Sequence, residues 1–333
     1  MKKVAQLPEA ERKALFSETA AAKGITAAAA EKDFWICWVL LQIFTQPQLC
    51  KILRFKGGTT LSKCFGLIER FSEDIDLILD WTKVLEENPE AERSKTQQDK
   101  INKKINENAQ AYIRETLLPL LQSEMGATCE VNIDSRDANV VNVNYPMVAA
   151  TSYLRNEIRL EIGALAHMLP FGSYPISSYA AEVFPAVFDL ATVSVDAIVP
   201  ERTFWEKVTI LHAEAHRPAN KLQPKRYSRH YYDVYKMLGT QVEADALADL
   251  ALLEDVVAFK QRFYPVAWAR YDLATVENIK LIPCSEVVAT LKTDYAAMAE
   301  MIFGDIPSFE SMMEALEAFE QKINAITRAS TQE

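Results

Sequence analysis

Several features that would mark a specialised class of protein are scarce or missing in this chain of 333 residues. Its five cysteines stand far apart and include no CxxC pair, which argues against a disulfide framework or a cysteine-based zinc site and favours a reducing compartment. Nine glycines and 14 prolines are too few for a fibrous or low-complexity protein. The composition therefore indicates an ordinary globular protein.

Long hydrophobic runs are also missing. The longest apolar stretch, Phe34 to Phe44, is about half of what is needed to span a bilayer. The N-terminal sequence MKKVAQLPEAERK has no apolar region behind its lysines, unlike a signal peptide. We therefore expect a soluble, cytoplasmic protein without a membrane partner.

The chain has no overall surplus of positive charge. Lys and Arg number 36 against 46 Asp and Glu, so the formal charge is −10, which excludes a protein that coats nucleic acid by bulk charge. The charge is unevenly distributed, because residues 240–333 contain 16 acids and 7 bases whereas residues 200–239 contain 8 bases and 4 acids. A local basic surface is therefore compatible with the composition.

The composition predicts a large core, since 49% of the residues are hydrophobic. The chain length is typical of about two domains. Residues 1–49 have a helical pattern, a mixed α/β region follows, and the chain is helical almost throughout from Pro200. We predict a helix over Thr59–Arg70 and a loop over residues 169–188. Strands are predicted at Ile52–Phe55, Asp74–Leu79, Thr128–Ile133, Val140–Tyr145, Glu157–Ile162 and Thr192–Ile198.

Glycines and hydroxyl residues follow the first predicted strand. Gly57 and Gly58 let the backbone approach a ligand closely, and the N-terminus of the next helix turns N–H groups toward an anion. Further donors are supplied by the hydroxyls of Thr59, Thr60 and Ser62. This stretch is a candidate phosphate cradle, although it lacks the GK[ST] ending of a P-loop.

Asp74 and Asp76 lie two residues apart on the next predicted strand, so both carboxylates project from one face. Adjacent carboxylates repel unless a cation lies between them, and their hard oxygen atoms suit Mg²⁺. A phosphate cradle beside such a pair is what phosphoryl or nucleotidyl transfer requires. Each pattern alone is usually a simple turn or a solvated strand face, but their combination within 20 residues indicates a site.

Gly58-Thr59 followed by Asp74-x-Asp76 resembles the G[ST]…DxD pattern of the polymerase-β-like nucleotidyltransferase superfamily. More narrowly, KGGTTLSK with RFSEDIDL resembles the AbiEii/AbiGii family of nucleotidyltransferase toxins, which includes MenT-type toxins. Glu31-Lys-Asp-Phe-Trp35 is similar to the N-terminal helix of that family. The resemblance implies a polymerase-β-like mixed sheet with flanking helices and a helical C-terminal domain. We expect domains 1–199 and 200–333.

The resemblance also implies further site residues. Glu161 is expected as a third metal ligand, with Asp134 and Asp196 as weaker candidates. Lys207 is expected to bind the triphosphate. Asp233 either orients that lysine or acts as a base for the acceptor hydroxyl.

Five further residues are open to two interpretations each. Arg70 and Ser72 are candidates for contacts with phosphates. Arg229 could instead pair with Asp233 at i, i+4 spacing. His212 and His216 also have i, i+4 spacing, but without a third ligand they are interpreted as ordinary surface or interface histidines.

The segment from His216 to His230 contains several basic residues and no acid, and Tyr227, Tyr231 and Tyr232 interleave with it. Cations contact backbone phosphates and aromatic rings stack on bases, so this segment is interpreted as an RNA-facing loop rather than as an ordinary solvated loop. Its candidate RNA-binding residues are Lys221, Lys225, Arg226 and Arg229.

The resemblance predicts a metal-dependent nucleotidyltransferase toxin of a type IV toxin–antitoxin or abortive-infection pair. It would use Mg²⁺ or Mn²⁺, take an NTP as substrate, and add NMP to an RNA acceptor, the tRNA 3′ end. Its partners would be that RNA and a cognate antitoxin, with direct contact left open. Two alternatives remain: transfer to a protein side chain, and a non-catalytic nucleotide-binding protein on the same fold.

Overall fold

The computed structural model describes residues 1–149 and 154–326, and it contains two compact units. The first comprises Met1–Gly66 and Phe71–Ile198. The second comprises Leu67–Arg70 and the chain from Val199 onward. The expected domains 1–199 and 200–333 remain a prediction.

The first unit is built on a seven-stranded mixed sheet with the order β3-β4-β5-β2-β1-β7-β6. β2 pairs in parallel with β5, and β1 with β7, while the other neighbouring strands are antiparallel. Flanking helices and this sheet confirm the predicted fold class. The strands are β1 Leu53–Lys56, β2 Asp74–Leu79, β3 Glu130–Ile133, β4 Val140–Asn144, β5 Glu157–Gly163, β6 Phe171–Ser177 and β7 Thr192–Ile198.

The α-helices divide between the units. The first unit contains α1 Lys2–Ala5, α2 Glu9–Lys23, α3 Ala27–Thr45, α4 Leu49–Ile52, α5 Gly58–Lys63, α6 Lys95–Tyr112, α7 Leu118–Met125 and α8 Tyr179–Val183. The second contains α9 Pro200–Ala215, α10 Ser228–Met237, α11 Gln241–Ala248, α12 Leu250–Phe263, α13 Ser285–Met298 and α14 Phe309–Asn324. No helix in the described part of the chain is long and apolar enough to cross a membrane.

Two sequence predictions about these elements are wrong. The predicted loop over residues 169–188 contains edge strand β6, in which only Ile176 is buried and Pro175 interrupts the strand pattern, so the alternation of a half-buried strand is missing from the sequence. The predicted helix Thr59–Arg70 ends at Lys63. It ends early because Leu67–Arg70 belongs to the second unit, where Arg70 forms a β-bridge with Ile302.

Helix α3 lies in the core of the first unit and is buried on nearly all sides. It begins where the Thr26 side chain accepts a hydrogen bond from the Ala29 N–H, a normal N-cap. The helix packs against α2 and β7. Trp35 stacks on Tyr145 with ring centroids 5.5 Å apart, and Phe34 meets Phe16 at the same separation. Such a position favours apolar residues throughout.

Charged residues nevertheless occupy three consecutive positions in α3, and Glu31, Lys32 and Asp33 are at most 2% exposed. Glu31 accepts hydrogen bonds from the backbone N–H groups at positions 148 and 149. Lys32 donates from Nζ to Glu73 Oε2 across 2.8 Å, and both side chains are buried. Since a buried charge is costly without a partner, these contacts fix the segments that they join.

Asp33 connects α3 to α5. Its Oδ1 lies 2.6 Å from Lys63 Nζ, at the last residue of α5, and its Oδ2 accepts a hydrogen bond from the Tyr179 N–H. The Lys63 ammonium also lies over the Tyr179 ring, 4.2 Å from its centroid. Helix α5 is only six residues long, so this anchor at its C-terminal end determines its orientation.

The second unit has α9 at its centre, packed against α10, α11 and α12. Phe204 of α9 is fully buried and meets Phe319 of α14 edge to face, with ring centroids 5.5 Å apart. The expected surface or interface position is wrong for His212, which is fully buried. Its Nε2 donates to the carbonyl of Arg270 and its Nδ1 accepts from the N–H of Lys280, so it joins two loop segments to α9.

Loss of the Lys32 charge should destabilise the protein strongly. In Lys32→Met the carboxylate of Glu73 remains buried without its ammonium partner, at an expected cost of about 3–5 kcal/mol. Lys23→Met removes an exposed pair with Glu182 and should cost less than about 1 kcal/mol. Urea unfolding at neutral pH measures both free energies. Equal losses in the two variants would contradict the structural role given to Lys32.

Candidate functional site

A tight glycine turn links β1 to α5. Gly57 has φ 87° and ψ −157°, a conformation that is essentially restricted to glycine. A Cβ atom at this position would lie 2.0 Å from Oδ2 of Asp76. The turn and the second aspartate of the DxD motif are therefore packed against each other with no space for a side chain.

The hydroxyl groups after this turn bond to the backbone. Thr59 Oγ1 donates to the carbonyl of Asp74 at 2.6 Å, and Thr60 Oγ1 donates to the carbonyl of Gly57 at 2.7 Å. Ser62 Oγ donates within α5. Thr59 and Thr60 are buried, so in this structure their hydroxyls hold the turn on the DxD strand. Their predicted contact with phosphates remains a prediction, as does that of Ser62.

Three of the predicted carboxylates lie on one face of the sheet. Asp74 and Asp76 alternate with buried residues along β2, as their spacing predicted. Glu161 of β5 is the register partner of Asp76. Side chains in register on neighbouring strands project to the same side, so Glu161 is adjacent to the predicted metal ligands.

The donor set fits a hard divalent cation. Asp74 Oδ1 is buried without a hydrogen bond, and Asp76 lies against the glycine turn. Among residues 1–149 and 154–326, no three His, Cys, Asp or Glu side chains are grouped so that they could hold a metal ion. Mg²⁺ commonly binds one or two carboxylates together with water and substrate phosphates. Asp74 and Asp76 can provide these carboxylates. Glu161 as a third ligand remains a prediction.

The two weaker candidates for a third ligand are engaged elsewhere. Asp134 accepts hydrogen bonds from Asn142 Nδ2 at 3.0 Å and from Arg159 Nη1 at 3.1 Å. Asp196 lies on β7, which is separated from β2 by β1, and its Oδ2 is 3.8 Å from Arg54 Nη1. The register of the sheet therefore favours Glu161.

The predicted Lys207 and Asp233 come together in the second unit. Lys207 Nζ on α9 lies 2.7 Å from Oδ2 of Asp233 on α10. Arg70 donates two hydrogen bonds, of 2.6 and 2.7 Å, to the same carboxylate. All three side chains are buried. Both oxygens of Asp233 are thus engaged by Arg70 and Lys207, whereas the i, i+4 spacing had suggested Arg229.

The partners of Asp233 bear on the two roles considered for it. Burial alone would raise the pKa of Asp233, but the charges of Arg70 and Lys207 hold it well below its usual range. A carboxylate stabilised this strongly as an anion is a poor proton acceptor. The geometry therefore favours Asp233 as the residue that orients Lys207 over Asp233 as a base.

The cluster holds more positive than negative charge. Two cations, Arg70 and Lys207, share the single carboxylate of Asp233. Burial lowers the pKa of Lys207, Asp233 opposes this effect, and Arg70 adds to it. A partly dehydrated ammonium with a fixed orientation suits an incoming anion.

The basic segment between α9 and α10 is anchored by Asp294. The carboxylate of Asp294 accepts hydrogen bonds from the N–H groups of Arg226 and Ser228. Tyr231 and Tyr232 are fully buried, so the prediction that they interleave with an exposed basic surface is wrong. The four predicted RNA-binding side chains are exposed or half-exposed: Lys221, Lys225, Arg226 and Arg229.

A mixed sheet whose glycine turn packs against Asp76 of a carboxylate pair agrees with what the sequence resemblance to nucleotidyltransferases implies. The chain matches the family described as "Nucleotidyl transferase AbiEii toxin, Type IV TA system" over residues 38–325, and it therefore belongs to that family of nucleotidyltransferase toxins. This confirms the resemblance found in the sequence and the predicted enzyme class.

Two solved structures are similar to this chain. MenT4, a nucleotidyltransferase toxin from Mycobacterium tuberculosis, has 17% sequence identity and a TM-score of 0.45, with 98% of this chain and 96% of MenT4 covered. JHP933 from Helicobacter pylori has 15% identity and a TM-score of 0.43, with 89% of this chain and 91% of JHP933 covered. No curated protein matches the chain.

Gly57→Ala should disturb the DxD strand. The new Cβ would clash with Asp76. The alanine would also have to adopt a backbone conformation that costs a residue with a side chain about 1–3 kcal/mol. Two controls separate these effects in urea unfolding. Gly24→Ala has a positive φ of 67° but nothing within 4 Å, and Gly163→Ala likewise meets nothing within 4 Å and lacks the positive φ. We expect the largest loss for Gly57→Ala and the smallest for Gly163→Ala, and any other order would contradict the tight packing.

Proposed function

We propose that this nucleotidyltransferase toxin uses a divalent cation to transfer NMP from an NTP to an RNA acceptor, the 3′ end of tRNA. It would act in the cytoplasm, where NTPs and tRNA are abundant, as the toxin of a type IV toxin–antitoxin or abortive-infection pair. Membership of the AbiEii family implies an NTP substrate and an antitoxin. The observation that carries the proposal is the Asp74 and Asp76 pair on one face of β2, with Asp76 packed against the Gly57 turn.

The sheet face of the first unit would hold the cation. Asp74 and Asp76 would bind Mg²⁺ or Mn²⁺, with Glu161 beside them. The cation would neutralise charge on the triphosphate and activate the attacking hydroxyl. The turn at Gly57 and Gly58 would give the phosphates close access to the backbone.

The cluster in the second unit would supply positive charge for the triphosphate. Lys207 would contact the phosphates, where its charge stabilises the pyrophosphate that leaves as NMP is transferred. Asp233 would hold the ammonium of Lys207 in place, and Arg70 would keep Asp233 ionised. These roles are supported by the short contacts between the three buried side chains.

The basic segment would bind the RNA acceptor. Its cations suit backbone phosphates and would attract RNA without sequence preference. The residues proposed to do so are Lys221, Lys225, Arg226 and Arg229.

Labelled NTPs test the proposed activity. The purified protein is incubated with each NTP separately, Mg²⁺ and total tRNA, and we expect label at tRNA 3′ ends. Asp76→Asn should reduce labelling by roughly 100-fold or more, because it removes one of two cation ligands. Asp99→Asn, an exposed aspartate on α6, serves as the matched control and should label like the wild type.

Each other outcome points to an alternative. Label that resists RNase and remains on protein would favour transfer to a protein side chain. NTP binding without transfer to either acceptor would favour a non-catalytic nucleotide-binding protein. Equal labelling by wild type and Asp76→Asn would refute the assigned role of the DxD pair.

Neutralising the basic segment should weaken RNA binding. In a variant with Lys221→Gln and Lys225→Gln, we expect the KM for tRNA to rise several-fold and its salt dependence to become less steep, while kcat remains unchanged. The control is Lys100→Gln with Lys103→Gln on exposed positions of α6. Transfer kinetics at several KCl concentrations measure both effects. Indistinguishable behaviour of the two double variants would exclude this segment as an RNA contact.

A further inference from the structure

Arg159 lies among the carboxylates on the face of the sheet. It is the register partner of Asp74 on β5, and its Nε is 3.9 Å from Asp74 Oδ1. The same Nε is 3.7 Å from Glu161 Oε1. Its Nη1 is 3.1 Å from Asp134 Oδ2. One guanidinium, which is permanently charged, therefore faces three carboxylates.

Asp134 anchors this arginine. Its carboxylate accepts hydrogen bonds from Asn142 Nδ2 and from the N–H groups of Arg136 and Asp137. The hydrogen bond from Asn142 contributes most to lowering the pKa of Asp134 to about 2. Asp134 thus remains an anion. It follows β3, and in the sheet order β3-β4-β5-β2 it lies on the opposite side of Arg159 from Asp74.

The contact between Arg159 and Asp74 is incomplete. Arg159 Nε and Asp74 Oδ1 are both buried, and neither forms a hydrogen bond. At 3.9 Å the guanidinium balances the charge of Asp74 but leaves this oxygen able to bind a ligand. A bidentate pair, such as the one that Arg70 forms with Asp233, would have engaged both oxygens.

We propose that Arg159 is the internal counter-cation of Asp74 and Glu161, and that it sets the affinity of this face for a divalent cation. Without a bound cation it offsets the repulsion between the carboxylates. With a bound cation its charge opposes binding and keeps the affinity low. The inference rests on the proposed function only in taking Asp74 and Asp76 as cation ligands.

The sign of the effect follows from Coulomb's law. Removing a positive charge a few ångströms from a divalent cation should tighten binding by roughly tenfold or more. The same change should destabilise the cation-free protein, since Asp74 and Glu161 lose their compensating charge. A purely structural arginine would show the second effect without the first.

Calorimetric titration with Mn²⁺ alone, without nucleotide or RNA, tests this role. Arg159→Gln should bind Mn²⁺ roughly tenfold or more tightly than the wild type, and Arg159→Lys, which keeps the charge, should bind like the wild type. Arg136→Gln, an exposed arginine in the turn between β3 and β4, is the control and should change little. Unchanged or weaker binding by Arg159→Gln overturns the proposal.

Arg155 keeps the test decisive if Arg159→Gln fails to fold. Its Nη1 lies 3.8 Å from Asp74 Oδ1 while its side chain is 44% exposed, so Arg155→Gln should fold and should tighten Mn²⁺ binding in the same direction, by a smaller factor. No tightening in this variant then overturns the proposal.

The readout is independent of RNA transfer. A wild type that labels no RNA but shows this dependence of Mn²⁺ binding on Arg159 refutes the proposed function and leaves the inference intact. Unchanged Mn²⁺ binding in Asp74→Asn with Asp76→Asn refutes the cation site itself.

Discussion

Three buried charges on α3 determine the local structure around the DxD strand. Glu31, Lys32 and Asp33 are buried on a helix of mostly apolar residues, and each interacts with a different segment of chain. Lys32 fixes the residue that precedes β2, and Asp33 fixes the end of α5. An alternative packing that left any of these ions without its partner would be penalised by several kcal/mol. The segments on both sides of the Gly57 turn and the DxD strand are therefore fixed by two buried ion pairs, Lys32–Glu73 and Asp33–Lys63, which would be costly to break.

Local pattern was enough to predict the central part of the candidate site. The alternation of β2 placed Asp74 and Asp76 on one face, and the strand context of Glu161 was correct, because both depend on a period of two within a few residues. The importance of Glu31–Asp33 was visible only as a resemblance. Its partners lie 41, 30 and 117 residues away, and no periodicity encodes contacts at such separations.

The same limit applies to the second unit. Sequence reasoning paired Lys207 with Asp233 through the family resemblance, but for Arg70 it offered only a candidate contact with phosphates, because Arg70 lies shortly before the DxD motif. The structure instead uses Arg70 to hold Asp233, 163 residues further along the chain. Thr59 and Thr60 show a related limit, since a hydroxyl in a motif can bond to a ligand or to its own backbone, and only coordinates distinguish the two.

The short segment Leu67–Arg70 has a consequence for how the protein is made. Neither unit is a single stretch of chain, because these four residues leave the first unit and the next residue returns to it. During synthesis Arg70 is made 163 residues before Asp233. Its guanidinium therefore has no carboxylate partner from α10 while the strands of the first unit are being synthesised. A nascent chain that stops before residue 233 lacks the carboxylate that orients Lys207. Such a truncated chain would leave two buried cations without the carboxylate that they share, and it would be destabilised before it could be completed.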